Sequence, residues 1–265
     1  MSSVAPAFTA AKREGRATLI GYLPAGFPSV AASVELLATM VDSGVDVVEV
    51  GLPYSDPVMD GPTIAAAAQL ALEGGVRTTD VLRVVEATAP RAPTLVMSYW
   101  NPVERYGVER FSADLDAAGG AGLITPDLIP DEAAEWVVAA DAHSLDKVFL
   151  VAPSSTTARL ATTAAACRGF VYATAVMGVT GAREQTSSLA PELVGRTRQV
   201  TDLPIGVGLG VSSGAQAAEV AQYADAVIVG SAFVRCIQQA ADLASALRSV
   251  GALCHDLASG VRGEL

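Results

Sequence analysis

The chain has 265 residues, of which 51% are hydrophobic and 17% are charged, a balance that excludes a disordered chain and allows one large core. Its 28 acidic and 17 basic residues give a net charge of −11, which argues against nucleic-acid binding because that function needs a basic surface. We also expect a cytoplasmic protein with no membrane segment, because no apolar run reaches ~18 residues and the N-terminal residues do not resemble a secretory signal.

The cysteines and histidines do not suggest a metal site or a disulfide framework. Cys167, Cys236 and Cys254 are far apart and form no CxxC pair, and His143 and His255 are the only histidines. Metal sites and disulfide scaffolds need closely patterned ligands or cysteines. We therefore expect reduced thiols and no bound metal.

Short β-like runs recur along the whole chain, at residues 17–23, 45–51, 94–99, 121–126, 147–153, 169–175, 203–210 and 225–231. Ala- and Leu-rich stretches with helical spacing lie between them, for example at residues 29–44, 131–143 and 212–224. Eight strand-helix units without a break in composition predict a (β/α)8 TIM barrel, a single domain over residues 1–265. An open doubly wound sheet is less favoured, because no G-x-G-x-x-G follows the first run.

Glu49 lies in the second run, in the segment "VDVVEVGLPYSDPVMDGPTI" of residues 45–64. With a period of two, Glu49 shares one face with Val45 and Val47, and both faces of a barrel strand are buried. A carboxyl group near the C-terminal end of a barrel strand, with its pKa raised by burial, suits proton transfer. A buried salt bridge is the alternative, which the scarcity of nearby cations disfavours. Asp60 is the candidate second acid, with ordinary turn chemistry as its alternative, as for Asp56.

Residues 176–189 form a long polar loop after the sixth run, with Gly178 and Gly181 as possible hinges. A loop of this length at the mouth of a barrel is a candidate lid, and an ordinary surface connection is the alternative. Thr180 and Gly181 could supply a hydroxyl group and a backbone donor to a neighbouring site.

A phosphate site is predicted after the seventh and eighth runs. Gly208 and Gly210 lie at the end of the seventh run, before "VSSG", and Gly230 and Ser231 end the eighth, just before the helical residues 232–240. Glycines allow backbone N–H groups to approach an anion, and we expect Ser231 to cap the following helix. Either loop alone would more simply be a turn, but barrels often bind phosphate with this pair of loops.

The segment "EVGLPYSDPVMDGPTI" (49–64) resembles the tryptophan synthase alpha subunit family. Four shorter motifs follow the same order, "GYLPAGFPS" (21–29), "GVTGA" (178–182), "GLGVSS" (208–213) and "GSAFVR" (230–235). The resemblance covers essentially the whole chain. It implies a (β/α)8 lyase that splits indole-3-glycerol phosphate into indole and glyceraldehyde 3-phosphate by a retro-aldol reaction, with neither a metal nor an organic cofactor in this chain.

The resemblance also implies roles for individual residues. Glu49 matches the main proton-transfer residue, Asp60 the carboxylate at the indole nitrogen, and Tyr172 a tyrosine near the reacting side chain. The remaining matched positions are the phosphate ligands Gly181, Gly210, Gly230 and Ser231, the indole-pocket residues Tyr22, Ile64, Met97 and Ile124, and the lid residue Thr180, which meets Asp60 when the loop closes.

The resemblance further implies a partner, a beta subunit that carries pyridoxal phosphate, in an α2β2 complex with Pro53 and Asp56 at the interface. Two positions depart from the family pattern, because Ala65 replaces the usual Gln and Tyr22 replaces a frequent Phe. Three alternatives stay open. These are a free-standing indole-producing lyase, a non-catalytic activator of the beta subunit, and another sugar-phosphate barrel such as an isomerase, which would not need the 49–64 segment.

Overall fold

The computed structural model describes residues 3–174 and 189–264, and these form a closed barrel of eight parallel strands. The strands pair in chain order, and the last one closes on the first. This confirms the predicted (β/α)8 barrel. The strands are β1 (Thr18–Pro24), β2 (Val47–Gly51), β3 (Thr94–Met97), β4 (Gly122–Thr125), β5 (Asp146–Val151), β6 (Val171–Thr174), β7 (Ile205–Gly208) and β8 (Ala226–Val229).

The first helix precedes the first strand, and the other helices follow the strands and cover the outside of the barrel. They are α1 (Ala5–Arg13), α2 (Val30–Asp42), α3 (Pro62–Glu73), α4 (Thr78–Thr88), α5 (Trp100–Tyr106), α6 (Val108–Ala117), α7 (Ala134–Ala142), α8 (Thr157–Ala166), α9 (Leu189–Arg198), α10 (Gly214–Ala221), α11 (Ser231–Gln239) and α12 (Leu243–Arg262). Within the two described ranges, no helix is both long enough and apolar enough to cross a membrane.

Local sequence explains where several helices begin. Each of four helices follows a short polar residue whose side chain accepts a hydrogen bond from the N–H three residues on, namely Ser29, Thr156, Ser213 and Asp242. The helix predicted over residues 131–143 is instead divided. A 3₁₀ turn at Pro130–Glu132 precedes α7, and Ala133 between them leaves the helical conformation.

The strands separate two apolar clusters. Val48 and Val50 of β2 point to the helices and belong to the outer cluster, whereas Val47 belongs to the cluster in the barrel lumen. Val45 was expected on the same face as Val47, but it packs in the outer cluster because β2 begins only at Val47. The lumenal cluster is built from residues in or next to the strands and α1, and it includes Val4, Phe8, Ile20, Val47, Leu95, Ile124, Val148, Phe170, Ala226 and Ile228.

Aspartates fasten the N-terminal face of the barrel. They stand at or just before the start of a strand and accept hydrogen bonds from backbone N–H groups of neighbouring segments. The bonds join Asp46 to Leu19 at 2.8 Å, Asp225 to Ile205 at 2.9 Å and Asp146 to Val4 at 2.9 Å. Strand starts are thereby tied together at the face opposite the barrel mouth.

Candidate active site

A cavity opens at the C-terminal ends of the strands, the face at which barrel enzymes carry out their chemistry. Apolar side chains form much of its wall, and its polar groups lie on the strands or in the loops that follow them. The polar side chains that line it among the described residues are those of Tyr22, Glu49, Asp60, Tyr172, Thr174 and Ser231.

Glu49 lies at the floor of this cavity, on the lumenal face of β2, in register with Tyr22 of β1. Its side chain is 1% exposed, and neither carboxyl oxygen has a hydrogen-bond partner among the described residues. The alternative of a buried salt bridge therefore finds no partner in this part of the chain. Burial raises the pKa of the Glu49 carboxyl to about 8, so the group is mostly protonated at neutral pH.

Asp60 faces the same cavity from the loop before α3, and it is half-buried. Burial raises the pKa of its carboxyl group, and a hydrogen bond with Tyr99 opposes that rise. The Tyr99 hydroxyl also accepts a hydrogen bond from the N–H of Met59 at 3.0 Å, and the Tyr99 ring contacts that of Tyr54. The structure thus brings together two carboxyl groups in different environments, as the sequence predicts for an acid/base pair.

Sequence reasoning missed Tyr99, which orients the loop that carries Asp60. Tyr99 falls two residues beyond the end of β3, and its hydroxyl group reaches the loop after the neighbouring strand β2. The available signal was its position, because polar side chains just beyond barrel strands often reach the site.

Two tyrosines that line the cavity, Tyr22 and Tyr172, occupy equivalent positions relative to a glycine on the neighbouring strand. Tyr22 lies two residues before the β1 residue that pairs with Gly51, and Tyr172 lies two residues before the β6 residue that pairs with Gly208. A Cβ atom on Gly51 would stand 2.3 Å from the Tyr22 hydroxyl oxygen, and one on Gly208 would stand 2.5 Å from that of Tyr172. Each glycine therefore leaves space for a phenol group. Burial raises the pKa of both hydroxyl groups well above the ordinary tyrosine value.

The predicted phosphate residues Gly210, Gly230 and Ser231 line the cavity too. Gly210 has a φ of 75°, which favours glycine. The expectation that Ser231 caps the helix is wrong, because α11 begins at Ser231 itself, Gly230 occupies the cap position, and the helix has no side-chain cap. None of the described cavity residues is Lys or Arg, so a phosphate here would depend on backbone N–H groups and the helix dipole.

The predicted indole-pocket residues divide into two groups. Tyr22, Ile64 and Met97 line the cavity. Ile124 pairs with Met97 in the sheet, but it is fully buried in the lumenal cluster and is not among the lining residues. The sequence reading missed other lining residues, of which Leu150, Thr174 and Ile228 are strand residues.

Several predicted residues lie away from the cavity or beyond the described ranges. Pro53 is buried, whereas Asp56 is exposed and accepts a hydrogen bond from the Ser55 hydroxyl at 2.5 Å, which fits the turn alternative for Asp56. Thr180 and Gly181 lie outside the described residues, as do Gly178 and the predicted lid up to residue 188. Within the described residues, no group of three or more His, Cys, Asp or Glu side chains could hold a metal ion.

The sequence and the fold both match known proteins over nearly their full length. Residues 8–262 match the model of the family described as tryptophan synthase alpha chain. The tryptophan synthase alpha chain of Acidothermus cellulolyticus is 60% identical over 264 residues, which cover 99% of this chain and 98% of that protein. The alpha chain of Mycobacterium tuberculosis is 58% identical over 262 residues, with 98% and 95% covered.

Solved structures extend the likeness to three dimensions. A structure of Mycobacterium tuberculosis tryptophan synthase has a TM-score of 0.92 and 57% identity, with 99% of each chain covered. The tryptophan synthase alpha subunit of Legionella pneumophila has a TM-score of 0.88 at 31% identity, again with 99% of each chain covered. Since the family model and these relatives match essentially the whole chain, it belongs to the tryptophan synthase alpha chain family.

Proposed function

We propose that this chain cleaves indole-3-glycerol phosphate in the cavity described above, with Glu49 and Asp60 as the acid/base pair. The family reaction is a lyase reaction of tryptophan biosynthesis that yields indole and glyceraldehyde 3-phosphate, and the chain is an enzyme of this class. One observation carries the residue assignment. The carboxyl group of Glu49 lies at the cavity floor, fully buried and without a hydrogen-bond partner among the described residues.

Cleavage of the substrate requires two proton transfers, and the Glu49 carboxyl group can carry out both. Cleavage breaks the bond between C3 of the indole ring and the first side-chain carbon, so C3 gains a proton and the hydroxyl on that carbon loses one. Protonated Glu49 donates its proton to C3, and the resulting carboxylate accepts the hydroxyl proton as the aldehyde forms. The acid is thereby restored for the next turnover. A pKa of about 8 favours the proton donor at neutral pH.

Asp60 and Tyr172 complete the reacting centre. Protonation at C3 places positive charge on the ring nitrogen, and the Asp60 carboxylate accepts the ring N–H and stabilises that charge. The hydrogen bond from Tyr99 favours the charged form of Asp60. Tyr172 lines the same cavity, and its hydroxyl group is close enough to Glu49 for the two to interact electrostatically. We assign its hydroxyl group to the reacting side chain of the substrate.

The rest of the substrate fits the remaining surfaces of the cavity. Backbone N–H groups at Gly210, Gly230 and Ser231 would hold the phosphate, together with the N-terminus of α11. Gly181 is the fourth proposed phosphate ligand and Thr180 the lid residue. Tyr22, Ile64 and Met97 would contact the indole ring, with Ile124 in the layer beneath them.

Tryptophan synthase alpha chains function with a beta subunit. We propose an α2β2 complex for this chain, with residues 1–265 as one domain, Pro53 and Asp56 at the interface, pyridoxal phosphate on the beta subunit, and a cytoplasmic location. Family membership favours this role over a free-standing lyase or a non-catalytic activator. A strong rise in kcat on addition of the beta subunit supports the complex, whereas full activity of the isolated chain supports the free-standing enzyme.

Indole formation from indole-3-glycerol phosphate tests the proposal, measured with and without a beta subunit. We expect Glu49→Gln to abolish indole release while substrate binding survives, because the amide can neither donate the proton nor accept it back. The matched control is Glu35→Gln, on the exposed side of α2, which should leave turnover unchanged. Normal turnover by Glu49→Gln would refute the assignment, and partner binding without any cleavage by the wild-type chain would support the activator alternative.

A further inference from the structure

The Tyr22 hydroxyl group is a hydrogen-bonding group that the residues described in the structure leave without a partner. Tyr22 lines the cavity beside Glu49, its register partner on β2. Its hydroxyl group makes no hydrogen bond with any residue in the described ranges, and its oxygen, unlike those of Glu49, is not fully buried. A phenol group that faces a cavity in this way is available to a ligand as both donor and acceptor.

Two glycines leave room for the Tyr22 ring and its hydroxyl group. The Tyr22 ring passes close to Gly230 of the loop after β8, where a Cβ atom would stand 3.1 Å from ring carbon Cδ1. At its other end the ring crosses Gly51, the last residue of β2, where a Cβ atom would stand 2.3 Å from the hydroxyl oxygen. The ring thus spans from the end of β8 to the end of β2, and it packs against a glycine at each end.

The hydroxyl group points to the part of the cavity where Asp60 lies. Gly51 begins the connection that leads to Asp60, one strand repeat nearer the barrel mouth than Glu49. Burial raises the pKa of Tyr22 well above its ordinary value, and the carboxyl groups of Asp60 and then Glu49 add to this rise. Tyr22 therefore remains a neutral phenol at any working pH, able to donate one hydrogen bond while it accepts another.

We propose that Tyr22 determines specificity at the indole end of the cavity, where its hydroxyl group binds the N–H edge of the ring together with Asp60. The ring N–H is shared in a three-centre hydrogen bond between the Asp60 carboxylate and the Tyr22 oxygen, and the Tyr22 hydroxyl group donates its own proton to that carboxylate. This inference rests on the proposed function, which assigns Asp60 to the ring nitrogen. Aromatic bicycles that lack an N–H group should gain nothing from the Tyr22 hydroxyl group.

Binding of indole and of benzothiophene tests this inference without turnover, because benzothiophene has a similar shape and no N–H group. Dissociation constants would be measured for the wild-type chain, for Tyr22→Phe, and for Tyr223→Phe as the matched control, since the Tyr223 hydroxyl group is buried, has no partner among the described residues and does not line the cavity. We expect Tyr22→Phe to weaken indole binding about 2- to 10-fold, the range of one neutral hydrogen bond, and to leave benzothiophene binding unchanged.

Two results would overturn the inference. One is unchanged indole binding in Tyr22→Phe, and the other is an equal loss for both ligands, since either result would limit Tyr22 to a packing role. A wild-type chain that fails to cleave indole-3-glycerol phosphate would instead refute the proposed function. A wild-type chain that cleaves the substrate, with a Tyr22→Phe variant that binds indole as tightly, would refute the Tyr22 inference alone.

Discussion

The hydroxyl oxygen of Tyr172 lies directly over Gly208, at 2.5 Å from the position that a Cβ atom on this glycine would occupy. Gly208 is not among the glycines with positive φ. Space and not backbone conformation therefore requires glycine here. Gly208 ends a strand next to the proposed phosphate site, and Tyr172 is the side chain that we place at the reacting centre. The contact between them therefore links these two parts of the cavity.

Replacing Gly208 should therefore affect catalysis more than folding. We expect Gly208→Ala to displace the Tyr172 hydroxyl group and to lower kcat/KM by about 10- to 100-fold, the scale of a misplacement near 1 Å, with little change in Tm. Steady-state kinetics and thermal unfolding measure the two effects. The control is Gly195→Ala in α9, where a Cβ atom would meet nothing within 4 Å. Wild-type kinetics in Gly208→Ala would contradict the role given to this contact.

The buried acid Glu49 should reduce stability as the pH rises. Its pKa is about 8 in the folded chain and 4.5 in the reference state, so between these pH values the folded chain binds a proton that the unfolded chain has lost. Stability then falls with increasing pH, by roughly 5 kcal/mol at most across the whole interval. Glu49→Gln removes this titration, so it should stabilise the chain more at pH 8 than at pH 5.

Chemical denaturation of the wild-type chain and of Glu49→Gln at several pH values measures this difference. The exposed substitution Glu35→Gln controls for the loss of one charge. An advantage of Glu49→Gln that does not grow between pH 5 and pH 8 would show that Glu49 is not held in its neutral form.

Tyr99 should act on catalysis through Asp60. Its hydrogen bond lowers the pKa of the Asp60 carboxyl, so Tyr99→Phe should raise that pKa. Since Asp60 works as a carboxylate in the proposed reaction, the acid limb of the kcat/KM profile should move to higher pH. Freeing the Met59 N–H should also loosen the loop and raise KM. If the acid limb of the kcat/KM profile of Tyr99→Phe stays at the wild-type pH, Tyr99 does not act on catalysis through Asp60.

Asp46 should contribute to stability without a part in catalysis. It receives hydrogen bonds from the Arg16 guanidinium at 2.7 and 2.9 Å and from the Leu19 N–H at 2.8 Å, at the N-terminal face. We expect Asp46→Ala to lower the free energy of unfolding by about 1–3 kcal/mol, because it removes two of the hydrogen bonds of the half-buried Arg16 and leaves the Leu19 N–H without its acceptor. The control is Asp42→Ala, which breaks an exposed pair with Arg91. A change in kcat for folded Asp46→Ala would contradict this separation.

Periodicity and segment order were enough to predict the barrel, because strands and helices of these lengths have few other arrangements. They could not show how deep a side chain lies, which depends on strand register. Ile124 and Leu150 both belong to strands, yet only Leu150 reaches the cavity. A one-residue shift in a helix start likewise made Ser231 the first helical residue and not the cap.

Contacts between separate loops could not be predicted from the sequence either. Tyr99 follows β3 but binds the loop after β2, and nothing in the local pattern of either segment indicates this contact. The face of Glu49 was undecided for a similar reason, since both faces of β2 are buried. The closed sheet resolved it, because its inward residues lead to the cavity.

Because the aspartates that stabilise the strand starts lie at the N-terminal face, the two faces of the barrel should differ in their tolerance of substitutions. Strand starts are fastened by Asp46 and Asp225 far from the mouth, so substitutions at the mouth leave those ties intact. A library that randomises Tyr22, Ile64 and Met97 should therefore yield mostly folded barrels, from which new ring specificities can be selected. The same degree of randomisation at the opposite face should yield few folded proteins.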